Sequence, residues 1–194
     1  MPMKQIEIVA GPNGSGKTTF AQAFFKLRNG RSRFINADTV ASGLSAGNEA
    51  PAAFHAGRIV LTAITEAIEN GESFAFESTL SGRTWQPILR KATNSGYVVV
   101  IYFVFLGSAR INLQRIKKRV KEGGHSIAPE TVLRRYPRSF DNFWNVYRPL
   151  SQNWFVFDNS ATKPKLVQAK TAFELLSPEK QADFELSFLA RCRT

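Results

Sequence analysis

A chain of 194 residues with 43% hydrophobic content has the size of one packed domain, and sixteen Phe, three Trp and four Tyr give it a core that disordered chains lack. Twenty-six Lys and Arg against fifteen Asp and Glu leave a net charge of +11, which favours phosphate-rich ligands or acidic partners. The lone cysteine, Cys192, excludes a disulfide framework and a cysteine-based metal site, and the longest apolar run, Tyr97 to Leu106, is too short to cross a bilayer.

Strand and helix patterns alternate along the chain. Lys4 to Ala10 reads as a strand followed by a Gly-rich turn, and Thr18 to Leu27 as a helix with Phe20, Phe24 and Leu27 on one face. Ser32 to Asn36 is a short strand, Pro51 to Ile68 a helix, Ser73 to Glu77 a buried strand, and Trp85 to Thr93 a helix stopped by Asn94-Ser95-Gly96. Val98 to Leu106, β-branched and aromatic throughout, is the clearest strand. Ala109 to Lys121 is a helix cut off by Gly123-Gly124. A further helix begins near Pro129, and Pro137 is expected to kink or end it, although Phe140, Phe143, Trp144 and Tyr147 continue the period. Trp154 to Asp158 is a fifth strand, and the tail from Lys165 reads as helical. The expectation is one domain, residues 1–194, with a mostly parallel five-stranded sheet covered by helices on both faces. Ligands then bind at the carboxyl ends of the strands.

Gly11-Pro12-Asn13-Gly14-Ser15-Gly16-Lys17-Thr18 matches G-x-x-x-x-G-K-[ST], and Thr19 follows. Glycines let backbone N–H groups turn inward around phosphate, and the helix N-terminus adds its positive dipole end. Lys17 reaches the β- and γ-phosphates, and the Thr18 hydroxyl ligates Mg²⁺. The guanine-binding string N-K-x-D is absent. Leu80-Ser81-Gly82 is shared with ABC ATPases, yet Val98 to Leu106 runs into Gly107-Ser108 and not into an acidic pair. A small kinase using ATP and Mg²⁺ is the class that remains.

Asp38 falls just past the second strand, where a phosphotransferase needs a carboxylate to orient an acceptor hydroxyl and take its proton; capping the next helix is the structural alternative. Glu77, Ser78 and Thr79 end the third strand. Glu77 and Thr79, with Arg83, are candidates for substrate binding, and Glu77 is also a candidate to hold Mg²⁺ through a water; pairing of Glu77 with Arg83 is the structural alternative.

Residues 110–138 hold nine basic residues against Glu122 and Glu130, seven of the eleven net positive charges. Arg115 and Arg119 share a helical face, Gly123-Gly124-His125 supplies a break, and Arg134 and Arg135 follow. This is the pattern of a closing lid, about residues 108–138, that brings guanidinium groups to a transferring phosphoryl. A basic exposed hairpin and an RNA-binding surface are the alternatives, and a lone histidine such as His125 is more often a hydrogen-bonded structural residue than a catalyst. Asn159 and Ser160, after the last strand, are candidates for contact with the adenine or residues of a plain turn.

The ordered set GPNGSGKTT at 11–19, INADT at 35–39, FESTLSGR at 76–83, RIKKRVKEGGH at 115–125 and FDNS at 157–160 resembles the zeta-toxin family of phosphate-loop kinases, across residues 5 to about 165. The resemblance implies a three-layer α/β/α sandwich with an arginine-rich helical lid. It implies an ATP- and Mg²⁺-dependent kinase of UDP-N-acetylglucosamine, which phosphorylates a sugar hydroxyl and depletes a cell-wall precursor. On that resemblance Asp38 is the base, Lys17 and Thr18 hold ATP and Mg²⁺, and Arg119 matches the first lid arginine. For the second lid cation, His125 is nearest in spacing, while Arg134 and Arg135 are the available guanidiniums. An inhibitor of antitoxin type would be acidic. A polynucleotide kinase and a nucleic-acid-binding regulatory ATPase are the competing functions. No leader pattern opens the sequence, so a cytoplasmic protein that avoids membranes is expected.

Overall fold

The computed structural model describes residues 3–26, 33–35, 49–124 and 126–171, with backbone alone for 25–26 and 49–56. Within them the chain runs β1 (Gln5–Ala10), α1 (Lys17–Lys26), β2 (Arg33–Ile35), α2 (Glu49–Glu69), β3 (Phe74–Ser78), α3 (Trp85–Asn94), β4 (Val98–Phe105), α4 (Ala109–Lys121) and α5 (Pro129–Asn142). A π-helical turn (Phe143–Tyr147) and a 3-10 turn (Arg148–Leu150) lead to β5 (Asn153–Asp158) and β6 (Lys165–Lys170).

Strand alternation sorts the core into two layers. In β4, Val99, Ile101 and Phe103 point to one face and Val100, Tyr102 and Val104 to the other, and all six are buried. That two-sided burial is why β4 reads as a continuous apolar run. The first face packs with Ile6, Ile8, Phe74 and Phe76 against Val60 and Ile64 of α2, Leu89 of α3, and Phe143 and Tyr147 of the π turn. The second packs with Val9, Phe155 and Phe157 against Phe20 and Phe24 of α1. Phe74, Phe76 and Phe103 are at most 1% exposed, and burying each contributes about 1.5–3 kcal/mol.

The sheet order is β2-β3-β1-β4-β5-β6, parallel from β2 to β5, with β6 antiparallel. The fold is the expected three-layer phosphate-loop kinase architecture with one strand more than expected. The correction lies in the tail: Lys165–Lys170 pairs with β5 and is not helical. Leu166 and Ala169 are both buried against the second face, although three apart. A register shift at Val156/Phe157 lets both point inward, so the bulge imitates a helical spacing. The chain beyond Thr171, including Cys192, lies outside the described residues.

Pro137 does not end the helix: α5 continues past it to Asn142 and widens into the π turn only afterwards. Pro137 lies on the exposed side, while Phe140, Phe143 and Tyr147 pack inward and hold the helix past the missing N–H. No helix among the described residues is long and apolar enough to cross a membrane.

Candidate active site

β1 ends at Ala10, between β3 and β4, and the phosphate loop leaves the sheet there. The Gly11 N–H donates to the Ser78 carbonyl at 3.2 Å, which ties the loop to the end of β3. Gly11 has φ +139°, and a Cβ there would run into the Val104 carbonyl of β4. Gly14 has φ +79°, and a Cβ there would lie 2.8 Å from the Asn112 carbonyl of α4. Only glycine lets the loop pass between two backbones this closely.

Side chains fix the loop from outside. The Lys17 ammonium donates to the Pro12 carbonyl at 3.0 Å. The Asn112 amide, fully buried on α4, donates to the Asn13 carbonyl at 2.6 Å. The Asn159 amide, after β5, donates to the Ser15 carbonyl at 2.8 Å, and the Asn159 carbonyl accepts from Arg115 at 2.8 Å. Asn159 therefore ties the phosphate loop, through its side chain, to α4, through its backbone carbonyl. Ser160 accepts from the Gly107 N–H at 3.0 Å, closing the β4 and β5 ends together.

The Thr18 hydroxyl donates to Glu77 at 3.1 Å. Parallel pairing of β1 with β3 brings these two together across 59 residues of sequence. Two hard oxygen donors beside the N-terminus of α1 fit a divalent cation such as Mg²⁺. The N–H-lined turn with its positive-φ glycines fits a polyphosphate.

A cavity of about 500 Å³ opens over this pair. Asn13, Gly14, Gly16, Lys17, Thr18 and Thr19 form its floor, and Glu77, Ser78 and Thr79 one wall. Arg115, Ile116 and Arg119 of α4, with Ile127 and Arg135 beyond the break, form the other. The break turns directly over Arg119: the Gly124 N–H donates to the Arg119 carbonyl at 2.9 Å, and a Cβ on Gly124 would sit 2.5 Å from Arg119 Cγ. Of the two consecutive arginines on α5, Arg135 lines the cavity and Arg134 is exposed. Arg83 is exposed near Tyr147 and does not line the cavity. Asp38 and His125 lie outside the described residues.

The β3–α3 loop is held in an unusual shape. Leu80 has φ +51°, the one non-glycine positive φ among the described residues, and its side chain is buried. Its N–H donates to the Ser78 hydroxyl at 3.1 Å, which also accepts from Trp85 at 2.9 Å. The buried Asn142 amide donates to the Leu80 carbonyl at 2.8 Å, and the Tyr147 hydroxyl to the Gly82 carbonyl at 2.6 Å. Burial pushes the Tyr147 phenol up to about 12, opposed by its backbone contact at Trp85 and by Arg83. Burial, followed by the charge of Asp158, also raises Tyr136, whose hydroxyl donates to the Leu106 carbonyl at 2.7 Å and ties α5 to the end of β4.

The sequence reading misses Asn112 and Asn142, and takes Tyr147 only as a residue that continues the helical period. The available signal was a polar residue on an otherwise apolar helical stripe, as Asn112 is with Ile116.

Three comparisons bear on this arrangement. A protein of Haemophilus influenzae (strain ATCC 51907 / DSM 11121 / KW20 / Rd), described as uncharacterized, is 36% identical over 129 residues, which cover 65% of this chain and 88% of that one. The structure from the PezAT chromosomal toxin-antitoxin system of Streptococcus pneumoniae is similar at a TM-score of 0.65 and 14% identity, covering 99% of this chain and 88% of that one. AvrRxo1-ORF1:-ORF2 with ATP is similar at a TM-score of 0.68 and 18% identity, covering 96% of this chain and 63% of that one. At these identities the two solved structures share the fold. A family model described as AAA domain matches residues 7–143, from the core of β1 to the start of the π turn and across the whole cavity. On that match the chain belongs to the AAA_33 family of AAA-domain proteins, with a phosphate-loop kinase-like fold.

Proposed function

We propose that this protein is an ATP- and Mg²⁺-dependent kinase that moves the γ-phosphate onto a hydroxyl of a sugar nucleotide such as UDP-N-acetylglucosamine. The observation that carries the kinase reading is one cavity that gathers Lys17, the Thr18–Glu77 pair, Arg119 and Arg135. The nucleotide supplies the activated phosphoryl group. Backbone N–H groups of Asn13, Gly14 and Gly16 and the Lys17 ammonium hold its phosphate oxygens, while Thr18 and Glu77 hold Mg²⁺. Arg119 and Arg135 offset charge on the transferring group, and this reading makes Arg135 the second lid cation. Asp38, three residues beyond β2, takes the acceptor proton. Thr79 and Glu77 bind the acceptor from the β3 wall, and Asn159 braces the loop beneath the nucleotide.

The sugar-nucleotide acceptor rests on the motif resemblance and on the likeness to a protein of a toxin-antitoxin system. By the same likeness, an acidic inhibitory protein is the partner we propose. The test is mass spectrometry of a bacterial metabolite extract incubated with ATP and the protein. We expect one phosphate added to UDP-N-acetylglucosamine, reduced roughly 10²-fold or more in Asp38→Asn at near-normal ATP binding. Transfer to a different species would sink the sugar-nucleotide assignment. Transfer to nothing, or undiminished transfer by Asp38→Asn, would sink the kinase mechanism itself.

A further inference from the structure

The basic cluster of residues 110–138 divides in two once folded. Arg115, Arg119 and Arg135 line the cavity, whereas Arg110, Lys117, Lys118, Lys121, Arg134 and Arg138 are exposed. On α4, Arg110, Lys117 and Lys121 fall within about 40° of one another around the helix axis and span about 16 Å along it. On α5, Arg134 and Arg138 share a side with the exposed Glu130 and Asp141, which offset them, so the uncompensated charge lies on α4. Phosphate chemistry in the cavity accounts for the first three cations and for none of these six. Among the described residues, the ion pair on this face is Lys118 with Glu122 at 4.0 Å, with the side chains 78% and 64% exposed. A pair so exposed neutralises little.

We infer that the outward face of α4 is a docking surface for the phosphodiester backbone of a nucleic acid. Two features of the face select this partner. α4 and α5 present no exposed aromatic ring to stack on a base, so contact falls on phosphates and is indifferent to sequence. Val120 and Leu133 are the exposed large apolar side chains on these helices, at 39% and 51%. They are too few to seed a protein interface, which buries about 800 Å² per partner. The inference goes beyond the kinase reading and does not depend on the identity of the acceptor.

The test is fluorescence anisotropy with a short duplex DNA of mixed sequence, titrated across salt with and without saturating ATP. Four engaged cations predict a log–log salt slope near −3.6, an affinity loss of about 10²-fold between roughly 50 and 200 mM salt. The triple variant Lys117→Gln, Lys118→Gln, Lys121→Gln should cut that slope to about a quarter and still catalyse ATP-dependent phosphate transfer. Retained transfer in this variant keeps the result separate from any failure of the kinase reading. An unchanged slope in the triple variant overturns the inference. So does release of DNA on adding ATP, which would place the nucleic acid in the cavity. Equal competition by poly-glutamate or by anionic lipid vesicles overturns it as well, since the surface would then select charge alone.

Discussion

Replacing Asn142 with alanine tests whether the β3–α3 loop is held in shape from α5. The Asn142 amide donates to the Leu80 carbonyl, and both groups are buried. Its net contribution is about 1 kcal/mol, and leaving that carbonyl buried and unpaired costs about 1–3 kcal/mol. Leu80 also sits at φ +51°, a conformation that costs a residue with a Cβ about 1–2 kcal/mol and persists only while its surroundings hold it. Without the clamp the loop escapes that cost by relaxing, which caps the global loss. We expect a destabilisation of about 2 kcal/mol in urea titration. Amide exchange should accelerate in residues 79–82, while β4 stays protected. Ser78 and Thr79 wall the cavity, so the KM for the acceptor should rise with ATP affinity unchanged. A loss under about 0.5 kcal/mol, or faster exchange spread evenly over the sheet, would refute the reasoning.

Arg135→Ala should lower kcat by roughly 10²-fold, whereas Arg134→Ala, one residue away and exposed, should leave kcat within about twofold; equal effects would place the lid register elsewhere. Tyr147 supplies a pH test. Its folded value, about 12, lies above the ordinary 10, so its contribution is fully present below about pH 10 and is lost as pH rises from 10 to 12. The limit is about 2–3 kcal/mol. Thermal melts of Tyr147→Phe should show a shallower alkaline decline than the parent, and a residual slope should remain from Tyr97 and Tyr136, which are also raised. Identical slopes in the two proteins would remove Tyr147 from the account.

The phosphate loop was legible because its demands are local: glycine where a backbone passes close, lysine and threonine at the helix start. Val98–Phe105 was legible because a strand buried on both faces needs apolar residues at every position. The choice between Arg134 and Arg135 was not, because it depends on the phase at which α5 resumes after the Gly123-Gly124 break. Asn112 and Asn142 were hidden for a different reason. An asparagine in a helical pattern reads as a surface residue until burial shows that its amide serves a loop far away in sequence. The pairing of Asn142 with Tyr147 was further concealed by the π turn. In an unbroken α-helix residues five apart point about 140° apart, and the wider turn brings both to one loop.

The sixth strand changes what the sheet offers to other chains. At one end, the described part of β2 is Arg33–Ile35, and its exposed Arg33 lies 3.7 Å from Glu72. β6, at the other, is broken in register and carries exposed Lys165 and Lys170 at its ends. A bulge and terminal lysines are devices that keep open strands from recruiting more strands. Among the described residues, the sheet therefore ends at β6 in a poor template for cross-chain pairing. The long apolar strands β1 and β4 stay in the interior of the order, shielded from the aggregation that their composition would otherwise invite.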